Sequence, residues 1–304
     1  MPVWVQGNKS SNVFIIYLHG GPGGSAIADA TLPGMQPLVE EYVFVSYDQR
    51  GAGAAQGNAK PEAFTVEQFV EDLEKIVHLI RHKYNNPTIF LFGASWGGAL
   101  GTACLLKPEN QQYMSGWIDM CGGHNFEEGM KLSWEWVENK AQEKINAGID
   151  VKYWEEELDW YSKTEPLFRW DGFKDGIYRH TQNIGKLDGY VHNPSKAPQT
   201  SLWTQLVSPQ SVFSSLFANL YSTKYLNIEK LNMTSELHKI TIPSIVLWGR
   251  HDGILPVPLA QEAYDNLGSS DKYIHIFENS GHVIPIDEPE LLVEKIKEFI
   301  EMHK

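Results

Sequence analysis

The chain has 304 residues, of which 42% are hydrophobic, and a formal net charge of −13. This length is enough for one large α/β domain with an insertion, or for two domains. Contacts to phosphate need clustered Lys and Arg, whereas this chain is strongly acidic. We therefore expect no nucleic-acid partner and no anionic-membrane partner. The two cysteines, Cys104 and Cys121, form neither a metal-spaced pair nor a disulfide framework, and we expect no metal or organic cofactor.

No apolar run reaches the length of a transmembrane helix, and no signal peptide is evident. We therefore expect a cytoplasmic protein. The chain opens directly on a strand-like segment, residues 3–5, which leaves open that a targeting segment preceded it in a longer natural protein. The sequence leaves the oligomeric state open as well.

Short runs of β-branched and aromatic residues predict buried strands at residues 13–18, 43–47, 88–92, 117–121, 245–248 and 273–277. Apolar residues at helical spacing predict helices at residues 65–84, 96–107, 259–267 and 289–303. The order of strand, strand, helix, strand, helix, strand predicts an α/β fold. Its sheet is mostly parallel and is covered by helices on both faces.

Between residues 126 and 238 the strand-like runs disappear. Segments rich in Trp, Glu and Lys predict helices at residues 132–147 and 151–163. Further helices are predicted at residues 173–184 and 212–220, with a polar, proline-containing stretch at 192–200 between them. We predict a core domain of residues 1–125 and 239–304, and a helical cap domain of residues 126–238 inserted over one edge of the sheet. The aromatic residues of the cap either pack between its helices or line a pocket.

Residues 93–97, Gly-Ala-Ser-Trp-Gly, match the pattern G-x-S-x-G between a predicted strand and a predicted helix. A sharp turn in this context exposes the central serine, here Ser95, at the carboxyl edge of the sheet. The backbone N–H of Trp96 would face the same point and could stabilise an oxyanion. The alternative is a glycine-rich strand–helix connection with a surface serine.

A second glycine-rich segment, His-Gly-Gly-Pro-Gly-Gly at residues 19–24, follows the first buried strand. Glycines let backbone N–H groups approach a ligand without obstruction by side chains. The segment therefore suits the second half of an oxyanion hole, with Gly20 or Gly21 as donor. A flexible turn is the alternative.

Ser95, Asp252 and His282 each lie just after a predicted parallel strand, the edge at which such sheets bind ligands. Serine becomes a nucleophile when a base removes its proton, and histidine can be that base near neutral pH. An aspartate would hold the imidazole and stabilise its cation. We predict that these three residues form a catalytic triad in the order serine, acid, histidine.

Other polar residues lie near the same edge. Gly20, His19 and His124 are predicted to bind substrate, and His19 also to orient the glycine loop. Asp48 and Arg50 follow a strand end, where they either pair with each other or hold loops in place.

With HGGPG at 19–23, DQRG at 48–51, GASWGG at 93–98, GRHD at 249–252 and SGH at 280–282, the chain resembles the proline iminopeptidase family of α/β-hydrolases. The resemblance implies an α/β-hydrolase fold with a helical cap and cleavage of an N-terminal residue, often proline, from short peptides. It implies Ser95 as nucleophile, Asp252 and His282 as its partners, and Gly21 and Trp96 as oxyanion donors.

The resemblance is incomplete in the cap. The family usually carries a W-x-x-W-E motif that helps to bind the substrate's amine, whereas this chain has Trp-Glu-Trp at residues 134–136. An enzyme that removes one residue still needs a group that pairs with the ammonium, and we expect at least one cap carboxylate to face the pocket above Ser95.

We therefore predict a serine aminopeptidase that acts on small peptides or amino-acid-derived substrates. A small-molecule carboxylesterase or amidase with the same catalytic residues is the alternative. A non-catalytic binding protein with this fold is a third hypothesis, which the combination of triad and glycine loop disfavours.

Overall fold

A computed structural model describes residues 1–57, 60–166, 176–197, 218, 222 and 224–304 of the chain. Among these residues a 7-stranded sheet with the order β1-β3-β2-β4-β5-β6-β7 lies at the centre. Its strands are β1 (Val3–Gly7), β2 (Val13–Leu18), β3 (Val43–Tyr47), β4 (Thr88–Ala94), β5 (Gly116–Met120), β6 (Ser244–Gly249) and β7 (Lys272–Phe277). Each predicted strand is present within three residues of its expected bounds.

The sheet is parallel except at one edge, where β1 pairs antiparallel with β3. Strands β2, β3, β5 and β6 are buried along their whole length. Helices cover both faces of a parallel sheet and remove its strands from water. The strands are therefore continuous apolar runs rather than alternating ones. The predicted α/β fold with a mostly parallel sheet is confirmed.

The helices that the chain places before and after the cap region are α1 (Ala26–Asp29), α2 (Gln36–Glu41), α3 (Val66–Lys83), α4 (Trp96–Leu105), α5 (Pro108–Gln111), α9 (Pro258–Asn266), α10 (Ile284–Asp287) and α11 (Pro289–His303). Helix α3 begins after Thr65, whose hydroxyl accepts a hydrogen bond from the Gln68 N–H at 3.1 Å. This N-cap satisfies a backbone donor that the helix itself leaves unpaired. Among the described helices, none is both long and apolar enough to cross a bilayer.

The cap region contributes α6 (Phe126–Asn146), α7 (Val151–Tyr161) and α8 (Gly176–Lys186). Helix α6 begins six residues earlier than predicted, because the Asn125 side chain accepts a hydrogen bond from the Glu128 N–H at 3.3 Å. The predicted helix at 212–220 lies outside the described residues except for residue 218.

The described cap helices pack around their own hydrophobic cluster, which is separate from the cluster around the sheet. Its buried members are Met130, Trp134, Val137, Ala141, Trp154, Tyr161, Ile184 and Leu187. Trp134 and Trp154 thus pack between helices, one of the two roles left open by the sequence. The division into a core domain and a cap domain at residues 126 and 238 remains a prediction.

Candidate active site

Ser95 lies at a tight connection between the end of β4 and the start of α4. Its backbone has φ 56° and ψ −121°, a conformation that costs an L-residue about 1–3 kcal/mol and occurs mostly at functional sites. The Ser95 N–H donates to the Met120 carbonyl at 3.0 Å, which ties the turn to the neighbouring strand. A Cβ atom at Gly97 would overlap the carbonyl oxygen of Leu18, so this close approach requires glycine.

The side chains of His282 and Asp252 are hydrogen-bonded. The His282 Nδ1–H donates to Asp252 Oδ2 over 2.7 Å, and Asp252 is completely buried. The other oxygen of Asp252, Oδ1, accepts from the N–H groups of Ile254 at 2.8 Å and Leu255 at 2.9 Å. These bonds fix the carboxylate and, through it, the orientation of the His282 ring.

Cys121 lies beside this pair. Each of Cys121, Asp252 and His282 has one atom that could ligate a metal ion, and these three atoms lie within 4.8 Å of one another. Burial, and then the charge of Asp252, raises the pKa of the Cys121 thiol well above its ordinary value. The thiol is therefore protonated near neutral pH, which makes it a poor nucleophile and a poor metal ligand.

Ser95 and His282 both border a cavity of about 610 Å³ between the sheet edge and the cap. This volume suits a small organic ligand. Residues of the glycine loop and of the end of β4 border it. Its apolar lining includes Met120, Met130, Ile177, Ile184 and Ile254.

Gly20 and Gly21 border the cavity next to Ser95. A Cβ atom at Gly20 would lie 3.1 Å from Ser95 Cβ, so the loop lies directly against the predicted nucleophile. Within the described part of the chain, the backbone N–H groups of Gly21 and Trp96 have no hydrogen-bond partner. Two unpaired donors on either side of a serine are the components of an oxyanion hole.

His19 does not border the cavity, although the sequence suggested that it binds substrate. It is completely buried, its Nδ1–H donates to the Gly20 carbonyl at 2.8 Å, and its Nε2 accepts from the Gln49 N–H at 2.9 Å. Burial lowers the pKa of His19, which is consistent with a neutral ring in this tautomer. We correct its role to orientation of the glycine loop.

Gln49 extends this network to Trp96, the second predicted oxyanion donor. Its amide group donates to the His19 carbonyl at 3.0 Å and accepts from the Trp96 indole N–H at 2.8 Å. Arg50, which follows Gln49 in the chain, pairs with Asp72 at 2.6 Å rather than with Asp48. Asp48 accepts from the Ala54 N–H at 2.8 Å. The DQRG segment therefore holds loops in place, as one of the two alternatives predicted.

His124 also lies away from the cavity wall. Its side chain is buried, and Nε2 lies 2.8 Å from a carboxylate oxygen of Glu262 on α9. The His124 carbonyl accepts from the Met233 N–H at 2.8 Å. His124 thus joins the end of β5 to two other segments, and the prediction that it binds substrate is corrected.

The cap contacts the loops of both predicted catalytic partners through residues 189–193, which we call the cap strap. The Gly189 carbonyl accepts from the N–H groups of Gly253 at 3.0 Å and His282 at 3.3 Å. The buried carboxylate of Asp287 accepts from Gly281, His192 and Asn193 at 2.8–2.9 Å. One acid therefore joins the strap to the loop that carries His282.

A buried polar network of the cap reaches the loop of Asp252. The Ser133 hydroxyl donates to the Gly253 carbonyl at 2.5 Å and lies 2.8 Å from His180 Nε2. Tyr161 Oη lies 2.8 Å from His180 Nδ1. Burial lowers the pKa of His180 to about 3, so the ring is neutral and its Nε2–H donates to Ser133.

One acidic residue of the cavity wall, Asp29, was not predicted from the sequence. It lies on the short helix α1, and no motif covers it. The cap residues that border the cavity in the described ranges are Met130, Ser133, Ile177, Tyr178, His180, Thr181, Ile184 and Tyr190, none of which is acidic. The expected cap carboxylate is therefore absent from this described part of the wall.

Residues 13–289 match the family described as the alpha/beta hydrolase fold, and the chain belongs to that family. Within it the chain is similar to a proline iminopeptidase of Saccharolobus solfataricus, with 27% identity over 96% of this chain and 86% of the relative. Other proline iminopeptidases, including that of Heyndrickxia coagulans, are 22–26% identical over nearly the whole chain. The resemblance to this group of hydrolases is confirmed.

Solved structures share the fold. A proline iminopeptidase of Mycobacterium smegmatis superimposes with a TM-score of 0.66 at 18% identity, over 99% of this chain and 94% of the other. A lipase-esterase related protein of Clostridium acetobutylicum gives a TM-score of 0.60 at 17% identity, over 98% of both chains. At these identities the likeness concerns the fold and does not distinguish a peptidase from an esterase.

Proposed function

We propose that this protein is a serine aminopeptidase that releases N-terminal residues, proline among them, from short peptides. The observation that carries the proposal is the pairing of His282 with a buried Asp252 at the border of the cavity that also contains Ser95. The strained turn at Ser95 and the unpaired N–H groups beside it add independent support.

In this mechanism His282 Nε2 accepts the Ser95 proton while Ser95 Oγ attacks the carbonyl carbon of the substrate. Asp252 keeps the proton of the neutral ring on Nδ1 and stabilises the imidazolium that forms. The imidazolium then donates its Nε2 proton to the departing amine. Water, activated by His282 in the same way, hydrolyses the acyl-enzyme and restores Ser95.

The negative charge that develops on the substrate carbonyl oxygen would be held by the N–H groups of Gly21 and Trp96. Removal of one such donor typically costs about 100- to 1000-fold in kcat. The network from His19 through Gln49 to the Trp96 indole supports this role, because it fixes both donor loops before the substrate arrives.

The aminopeptidase assignment rests on the similarity to several proline iminopeptidases over nearly the whole chain. A carboxylesterase or amidase is the second candidate, and a specific observation favours it. The described cap wall of the cavity is largely apolar and contains no carboxylate that could bind an ammonium group.

The two candidates differ in their need for a free amine. An aminopeptidase should hydrolyse L-prolyl p-nitroanilide with a kcat/KM at least about 30-fold higher than that of the N-acetyl derivative, because acetylation removes the ammonium charge. Steady-state kinetics on both substrates, with Ser95→Ala protein to exclude a contaminating enzyme, measures this ratio. Equal turnover of the two anilides together with rapid hydrolysis of p-nitrophenyl acetate would favour the esterase.

A further inference from the structure

The carboxylate of Asp29 borders the same cavity as Ser95 and His282. It is the one acidic side chain among the described residues of that wall, and it lies on α1, after β2, rather than in the cap. Asp29 ends the short helix α1, whose N-cap is Ser25, immediately after the glycine loop. An acidic group inside a largely apolar cavity requires a physical explanation, since burying a charge without a partner is costly.

The surroundings of Asp29 supply one hydrogen bond to the carboxylate. The Tyr17 hydroxyl donates to Asp29 Oδ2 at 3.0 Å. Among the described residues Oδ1 has no hydrogen-bond partner, and no lysine, arginine or histidine forms an ion pair with Asp29. Burial raises the pKa of Asp29 to about 7, which the Tyr17 hydrogen bond partly offsets. The carboxylate thus has capacity for a cationic partner that the described part of the chain does not provide.

We propose that Asp29 binds the ammonium group of the substrate's first residue and so selects substrates with a free N-terminus. This inference rests on the proposed aminopeptidase function and names the residue that gives the enzyme its preference. An ammonium group beside the carboxylate would stabilise its ionised form, and the low polarity of the cavity would strengthen the pair relative to water.

The position of Asp29 in the chain supports this role. One continuous segment carries the oxyanion donor Gly21, the N-cap Ser25 and Asp29, so the group that holds the carbonyl oxygen and the group that holds the amine are joined by a short length of backbone. The glycine loop is fixed against Ser95 through His19 and Gly20. Such a segment can set the distance between the reacting carbonyl and the amine, which limits cleavage to the first peptide bond.

The alternative is a structural role, in which Asp29 only anchors the Tyr17 hydroxyl. The two roles predict different results for Asp29→Asn, which keeps the shape and an acceptor for Tyr17 but removes the charge. If Asp29 binds the amine, the variant loses selectivity for a free amine. If its role is structural, the variant loses activity on all substrates in parallel.

The test compares kcat/KM for L-prolyl p-nitroanilide with that for its N-acetyl derivative, measured within each protein. We expect the ratio to fall by about 30-fold or more in Asp29→Asn, because truncation of one partner of a buried charge pair typically costs at least this factor. If the asparagine variant does not fold, Asp29→Ser replaces it, because serine is a smaller acceptor for the Tyr17 hydroxyl. The ratio should fall by the same factor in this variant. Glu135→Gln removes an exposed cap carboxylate from the Trp-Glu-Trp segment and should leave the ratio unchanged.

The outcomes separate this inference from the function on which it rests. A wild-type ratio near one would refute the aminopeptidase and the inference together. A high wild-type ratio that persists in both Asp29 variants would overturn the inference alone. A ratio that falls in Glu135→Gln and not at Asp29 would assign amine binding to the cap instead.

Discussion

Three aspartates near the carboxyl edge of the sheet, Asp252, Asp29 and Asp119, differ in the hydrogen-bond partners of their carboxyl groups. Asp252 accepts hydrogen bonds from two backbone N–H groups and from His282. Asp29 has a hydroxyl partner and borders the cavity, whereas Asp119 Oδ1 is buried without a partner in the described part of the chain. Hydrogen bonds to a carboxylate favour its charged form and burial opposes it.

Asp119 provides a prediction about pH. Burial raises its pKa from an ordinary value of 3.8 to about 7. The folded protein therefore holds a proton that the unfolded chain releases, so wild-type stability is favoured below about pH 4 and is lost as the pH rises through about 7. We therefore compare the free energy of unfolding of Asp119→Asn with that of wild type. The difference, variant minus wild type, should increase between about pH 4 and about pH 7 by at most about 1.4 kcal/mol per pH unit.

Chemical denaturation at a series of pH values measures this difference. The control is Asp265→Asn, because Asp265 is an exposed aspartate on α9. The stability of this variant should change with pH in the same way as that of wild type. A difference for Asp119→Asn that does not change between about pH 4 and pH 8 would contradict the raised pKa.

At the scale of elements, the cap strap connects the cap to the loop of His282. Three backbone N–H groups share the carboxylate of Asp287, two from the strap and one from the loop. The Tyr190 carbonyl also accepts from the Val283 N–H at 3.0 Å. The position of His282, the predicted catalytic base, therefore depends on the packing of the cap as well as on the sheet.

Replacement of Asp287 by asparagine should weaken this connection. One amide oxygen cannot accept all three hydrogen bonds, and each buried donor left unpaired costs about 1–3 kcal/mol. We expect a lower free energy of unfolding, and kcat/KM values that fall in parallel for p-nitrophenyl acetate and for the free-amine anilide.

Asp159→Asn is the matched control, because Asp159 is an exposed cap acid whose carboxylate pairs only with Lys163 among the described residues. Full activity and wild-type stability of Asp287→Asn would show that the strap does not position His282.

At the scale of the whole molecule, the sheet and the residues at its carboxyl edge could be predicted from the sequence. Buried parallel strands are continuous apolar runs, and the loops after β2, β4, β6 and β7 carry glycine-rich or charged motifs. The tight turn at Ser95 was recognisable because the spacing of Gly93, Ser95 and Gly97 reflects close backbone approach.

The rest of the site depends on contacts between segments far apart in the chain. Whether His19 and His124 face the cavity or the interior is decided by Gln49 and Glu262, which no local pattern reveals. Asp29 was missed for a related reason. A single aspartate on a four-residue helix has no periodic or motif signal, and only the fold brings it to the wall that contains Ser95.

The central claim is that Ser95 is the nucleophile of this hydrolase, and covalent labelling tests it most directly. Mass spectrometry of the intact protein after treatment with a fluorophosphonate should show one adduct, which peptide mapping places on Ser95. Cys121→Ser protein should be labelled as well, and Ser95→Ala protein should be neither labelled nor active, with kcat lowered by about 10⁴-fold or more. An adduct on another residue, or a folded Ser95→Ala protein that hydrolyses the anilide at the wild-type rate, would contradict the account.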